Sequence, residues 1–318
     1  MTTITREIIN PNFYHVNENM DYETLCKRIN KFKHLFLSKN LKKGDNLTIN
    51  TLTTTTDMIA SYFAAWELGL KTHIVPEGLL MGDTDFYVKA ISNLLHALQN
   101  AEPLLSGWSF LIIHDFNKPI DPNNSGGLTR MDLKDGLFRK ILEGYPTRTS
   151  TIITFDDVAP MPGTDIQPWE VNEDDDIVQC LTPLKHIKTI NDPWWPKLYS
   201  HKQILESVEK YIPNFTQDRV AISRNLHHNE SIDYYFLPTI MTASKIYDMN
   251  IMDYSEREVE QQILDFMVDY VNKEIEKNKI ERVLVPDDIM YNYMQSKKTK
   301  PFEQEVIFNI GKKIVKSN

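Results

Sequence analysis

The sequence predicts an α/β fold of mostly parallel sheets flanked by helices, and two observations carry the expectation. Helix-period segments alternate with short strand-like runs. The connections between them are tight, which is the rhythm of parallel strands covered by crossover helices. The first helix opens at Asp21 in DYETLCKRINKFKHLFLSKN, where Leu25, Ile29, Phe32 and Phe36 recur at spacings of four, three and four. A Lys43-Gly44-Asp45 turn stops it, and NLTINTLT then has the Thr and Ile content of a strand. Asp57 is the expected cap of a second helix, with Met58, Tyr62, Phe63, Ala65 and Trp66 on its buried face and Gly69 at its end. KTHIVP follows as a short strand.

Beyond it, Thr84 to Leu98 has a helical pattern, and SFLIIH (109–114) is an apolar strand of the kind buried on both faces. DPNNSGGLTR is a loop, TSTIITF (149–155) a strand, and the Pro- and acid-rich stretch 158–176 a surface connection. That connection divides the chain into an α/β subdomain over 1–157 and a second over 177–318. The alternation then resumes with DIVQCLTPL as strand, SHKQILESVEKYI as a helix from Ser200, and DRVAISRN as strand. Ser231 to Ser244 reads as an apolar helix containing Pro238, and Ser255 to Lys277 as a long amphipathic helix. IERVLVP and EVIFNIG are the last strands.

Composition bounds the function. The 318 residues are 41% apolar and 25% charged, ordinary for a globular chain, and no run approaches the roughly 20 apolar residues of a membrane span. The N-terminus carries no secretory or organellar signal pattern, so the cytoplasm is the expected setting, or a virion if the Lys-, Asn- and Ile-rich, Gly-poor composition marks a viral source. A net charge of -9 repels a phosphate backbone, which argues against nucleic acid. Lys27, Lys31, Lys33, Lys39, Lys42 and Lys43 read as a solvated helix face. Cys26 and Cys180 form no CxxC or Cys/His cluster and are expected to be buried and inert.

Several segments resemble the N-terminal domain of the adenylate-forming superfamily, which includes acyl-CoA synthetases. DYETLCKRINKFKHLFLSKNLKKGDNLTI is similar to the family's opening helix, Gly-Asp turn and strand, and MIASYFAAWELGLKTHIVPEG to the next helix, strand and Pro. LHHNESIDYYFLPTIMTA resembles the segment in which a family His precedes an apolar helix with Leu-Pro in its middle. IERVLVPDDIMYNYMQ resembles the strand ending Val-Pro, here Val285 and Pro286, before a short helix. The resemblance implies a phosphate loop of Ser, Thr and Gly ending Pro-Lys. At that place stands TINDPWWPKLYSH, where Pro196 and Lys197 fit the ending and His201 stands near the family's downstream His.

The rest of that loop does not fit. Glycine lets a backbone approach phosphate and adopt the φ values a nest needs, yet no Gly occurs between Gly163 and Gly311. Asn191 and Trp194 hold the Gly positions, Pro193 removes a donor, and Asp192 puts a negative charge where phosphate would sit. The family's adenine-binding segment, ribose-binding Asp and lid with its catalytic Lys have no counterpart in the 318 residues. The expectation is a degenerate relative, a pseudoenzyme with no catalytic residues, no cofactor and no autonomous adenylation. It would act in binding, structure or assembly through a protein partner or its own copies. The alternative is an AMP-forming ligase that uses ATP and Mg²⁺ with a partner chain. Carry-over is confined to the loop remnant Pro196, Lys197 and His201, and to an acyl pocket beside His228. Trp194 and Trp195, between two prolines, are either a packed junction or a partner surface.

Other groupings carry less. His227 and His228 precede Glu230 and Asp233, but adjacent strand residues point to opposite faces and do not share one ion, so no metal is expected. His114-Asp115 reads as a strand-end turn, and Glu173 to Asp176 as a solvated acidic loop. A Gly-x-Ser-x-Gly elbow, a Walker loop and a dinucleotide fingerprint are all missing, which leaves hydrolase, NTPase and dehydrogenase readings without support.

Overall fold

A computed structural model describes residues 3–50, 56–74, 108–112, 151–180, 197–216, 218–222, 232–249, 261–285, 288–298, 300–310 and 313–317. The chain opens with a 3-10 turn over Arg6–Ile8 and two short strands, β1 (Tyr14–His15) and β2 (Met20–Asp21), which sequence patterning did not reveal. Helix α1 (Tyr22–Ser38) starts as expected, with the Asp21 carboxylate accepting the Thr24 N–H at 2.8 Å. Its buried stripe contains Leu25, Ile29, Phe32, Leu35 and Phe36.

Strand β3 (Asn46–Asn50) follows the turn at Gly44, whose φ of +87° favours glycine. Helix α2 (Thr56–Glu67) begins one residue before the expected cap. Asp57 therefore lies in its first turn, where it pairs with Arg28 of α1. Gly69, at φ +63°, ends the helix and turns the chain into β4 (Lys71–Ile74). The strands β5 (Trp108–Ile112) and β6 (Thr151–Thr154) follow, and β6 runs into the short helix α3 (Phe155–Val158). The expected helix over 84–98 and the DPNNSGGLTR loop lie outside the described residues.

The second half contributes β7 (Asp176–Cys180), β8 (Lys197–Ser200), α4 (His201–Tyr211) and β9 (Arg219–Ile222). The expected helix around Pro238 divides into a π turn over Ile232–Phe236 and α5 (Leu237–Thr242), and Ser244 falls beyond it. Proline has no N–H to close an α-helical ring, and the turn widens just before it. Strand β10 (Lys245–Asp248) follows directly, unmarked by alternation in the sequence. Helix α6 (Gln261–Asn278), β11 (Arg282–Val285), α7 (Asp288–Lys297), β12 (Ile307–Ile310) and β13 (Lys313–Lys316) complete the described elements.

Two mostly parallel sheets result. One has the order β6-β5-β3-β4-β7-β8, parallel except for β8, which runs antiparallel to β7. The other has the order β13-β12-β11-β9-β10-β1-β2, with antiparallel β13 and β2 at its edges. Sheet membership cuts across a division at 158–176. β7 and β8 join the strands of residues 46–154, whereas β1 and β2 join the later sheet. One buried cluster runs through both halves, from Ile4 and Phe13 through Ile29, Phe63 and Trp66 to Val208, Phe236 and Ile246. The connection itself lies across α1, whose Asn30, Lys31 and Lys33 side chains donate to the carbonyls of Gly163, Ala159 and Ile166.

Two expectations on side chains are corrected. Lys33 is fully buried, unlike a solvated lysine, because its ammonium meets Glu67 inside the fold. Cys26 is only half-buried, since it stands at the margin of the α1 stripe beside Tyr22.

Candidate functional site

The candidate site is the junction of β8 and α4, where the loop remnant ends. Cys180 faces Lys197 in the antiparallel β7–β8 register. Trp194, Trp195 and Pro196 lie outside the described residues, as do His227, His228 and His114-Asp115. Lys197 is placed by its backbone as the first residue of β8.

Ser200, the last residue of β8, caps α4 in a reciprocal capping box. Its hydroxyl accepts the Gln203 N–H at 3.3 Å, and the Gln203 side chain accepts the Ser200 N–H at 3.0 Å. The other two leading amides are also taken. His201 N–H donates to the Asp175 carbonyl at 3.3 Å and Lys202 N–H to the Glu173 carbonyl at 2.8 Å. A helix N-terminus attracts anions through such unsatisfied donors, and here protein oxygens occupy them. The acidic run expected as a bare loop therefore has work within the fold. Asp175 also pairs with Lys43 at 2.5 Å, and Glu173 lies 3.4 Å from Lys202. Burial pushes the Asp175 carboxyl up, but Lys43 and the Asn172 N–H outweigh it and hold the group below its ordinary value.

His201 is fully buried, and its Nδ1 accepts the backbone N–H of Ile4 at 2.9 Å. The proton of the neutral ring is therefore on Nε2, which has no hydrogen-bond partner among the described residues. Burial lowers its pKa to about 4, with Asp175 opposing and Lys43 reinforcing the shift. In this arrangement the buried His201 ring holds the N-terminal segment through Nδ1.

Close by in the same packing, Glu67 is a buried carboxylate at the C-terminal end of α2, where the helix dipole disfavours negative charge. Two cations offset that. Lys33 Nζ lies 2.9 Å from one carboxylate oxygen, and Arg6 approaches with its backbone N–H at 2.8 Å and its guanidinium at 2.6 Å. Asp165 of the connecting segment meets the same guanidinium at 3.4 Å. Sequence reasoning missed this network, although Lys33 falls one turn after Ile29 within the apolar stripe and Glu67 closes an otherwise apolar helix.

The π turn that follows the His228 segment is packed with rings. Phe236 lies 6.0 Å from Tyr62, 6.4 Å from Phe63 and 6.5 Å from Trp66, all buried. Asp233, weighed above beside the paired histidines, accepts the Ser207 hydroxyl. Among the described residues no group of three or more His, Cys, Asp or Glu is arranged to hold a metal ion. No described helix is long and apolar enough to cross a membrane.

No protein-family model and no curated protein matches the chain. Solved structures do. A structure from studies of fatty acyl-adenylate ligases from E. coli and L. pneumophila matches with a TM-score of 0.62 at 17% identity, over 91% of this chain and 45% of that one. The adenylation domain of a keto acid-selecting NRPS module, bound to keto acyl adenylate, matches at 0.60 and 14%, over 87% and 44%. The o-succinylbenzoate CoA synthetase of Bacillus subtilis matches at 0.58 and 14%, over 93% and 49%. The likeness is one of fold: the chain has the α/β architecture of the N-terminal domain of adenylate-forming enzymes. It spans less than half the length of each of these structures.

Proposed function

We propose that this chain is a scaffold of the adenylate-forming fold that serves as a binding, structural or assembly component and does not adenylate a substrate on its own. The observation that carries the reading is the closed N-terminus of α4. Its first three amides are spent on Asp175, Glu173 and Ser200, and the His201 ring on Ile4. The glycine-free run through Asn191, Asp192 and Pro193 supports the same conclusion, because it lacks the conformational freedom and the donors that a phosphate cradle needs. A fold does not dictate its chemistry, and a sheet scaffold without its phosphate site keeps its surfaces for protein partners or for further copies of itself. Such a role suits the cytoplasm or a virus particle.

The test is ATP-dependent hydroxamate formation from a panel of carboxylic acids with Mg²⁺ and hydroxylamine. The chain alone is expected to give none, and product from the chain alone overturns the proposal. Product that appears only when a second chain is added identifies instead an AMP-forming ligase completed by a partner, with ATP and Mg²⁺ as its cofactors.

A further inference from the structure

We propose that His15 and His201 form a two-histidine latch that releases the N-terminal segment, residues 3–16, as the pH falls from neutral toward 5. The segment lies across separate elements and is tied to each by a defined bond. Ile4 N–H donates to His201 at the start of α4, and Arg6 binds Glu67 at the end of α2. Asn10 N–H donates to the Ile240 carbonyl of α5 at 2.9 Å and its side-chain amide to the Thr242 carbonyl at 2.7 Å, while Val16 N–H reaches the Ile246 carbonyl of β10 at 2.9 Å. Its own Ile4, Ile8, Ile9 and Phe13 are buried in the main core cluster, so release uncovers apolar surface.

Both histidines must be neutral for this docking. A doubly protonated His201 has no lone pair at Nδ1 and cannot accept the Ile4 N–H. His15 is fully buried in β1, and neither of its ring nitrogens has a partner among the described residues. Its register neighbours, Ile246 of β10 and Met20 of β2, are apolar, and burial alone lowers it. The charges acting on His201 are Asp175, which favours protonation, and Lys43, which opposes it and is itself paired with Asp175. Glu67, the carboxylate that also holds the segment, lies below its ordinary 4.5, despite the opposing effect of burial, because of Arg6 and Lys33. It stays ionised throughout the window from pH 7.5 to 5.

The sign follows from linkage. A histidine lowered on docking contributes stability that is fully present above its released value and is lost as pH falls from that value toward the docked one. With 6.5 released and about 4 docked, each ring raises the opening equilibrium roughly 30-fold at pH 5, and the two together several hundredfold.

Hydrogen exchange of the full chain at pH 7.5, 6 and 5, corrected for intrinsic rates, tests this at the Ile4, Arg6, Asn10 and Val16 amides. The expected result is a several-hundredfold rise in opening for the wild type. His201→Asn, whose Oδ1 keeps an acceptor near the Nδ1 position, and His15→Leu should each show about a 30-fold rise, and the double variant no rise. Equal pH dependence in all four proteins overturns the proposal. So does loss of protection in step with the Val283 and Phe308 amides of the sheet interior, because that is global unfolding. Should a variant fail to fold, NMR titration of the wild-type imidazoles is read beside the wild-type exchange: values near 4 for His15 and His201, with the Ile4 and Asn10 amides opening ahead of Val283 and Phe308, sustain the latch, and values near 6.5 overturn it.

Discussion

Arg6 closes on Glu67 with two parts of itself at once, its backbone N–H at 2.8 Å and its guanidinium at 2.6 Å, and so fastens the N-terminal turn to the end of α2. The geometry is bidentate and nearly dry, with the carboxylate fully buried and the arginine side chain 15% exposed. Lys33 completes the charge balance from α1.

Glu67→Ala is expected to destabilise the fold by about 3–5 kcal/mol, since it leaves the Lys33 ammonium buried and unpaired. A lower midpoint in urea, with an unchanged slope, measures this. Adding Lys33→Met should return part of the loss. Burial raises the Glu67 carboxyl, but Arg6 and Lys33 outweigh it and hold the group below 4.5. Its contribution is therefore present above pH 4.5 and declines as the pH falls through its folded value.

Ser200→Ala should cost about 1 kcal/mol, the usual effect of losing a side-chain cap. Exchange at the Gln203 amide should rise with it, because the Ser200 hydroxyl is that amide's acceptor at 3.3 Å. Full protection of that amide in the variant would show that another group replaces the cap.

Much of the first sheet was legible in the sequence because its signals are local. Asp21 as cap, the Leu25–Ile29–Phe32–Phe36 stripe and the glycines at 44 and 69 each act within a few residues. Strands β1, β2, β8 and β13 were not legible, because each is only two to four residues long, too short to show an alternation, and β1 forms by pairing with the distant β10. At the candidate site, a helix start at Ser200 was readable. The role of His201 was not, since its partner Ile4 is 197 residues away. The same holds for Lys33, whose burial makes sense only once Glu67 of the neighbouring helix is beside it.

Gly69→Ala should destabilise more than Gly44→Ala. Both sit at positive φ, +63° and +87°, where a side chain costs about 1–2 kcal/mol. A methyl at 44 meets open space, whereas one at 69 lies 2.9 Å from Lys43 Cγ and 3.0 Å from Val171 Cγ1. Because Lys43 holds Asp175, displacing it also loosens the carbonyls that close α4. Thermal melts of the two variants give the comparison, and equal shifts would mean that Lys43 yields freely.

Calorimetric titration of the chain with ATP and Mg²⁺, repeated on Lys197→Ala and accompanied by a solution mass, tests the central claim most directly. The account predicts no binding heat in either protein and a defined mass for the chain or its assembly. Micromolar binding that Lys197→Ala weakens would contradict it, because the β8–α4 junction would then still hold phosphate.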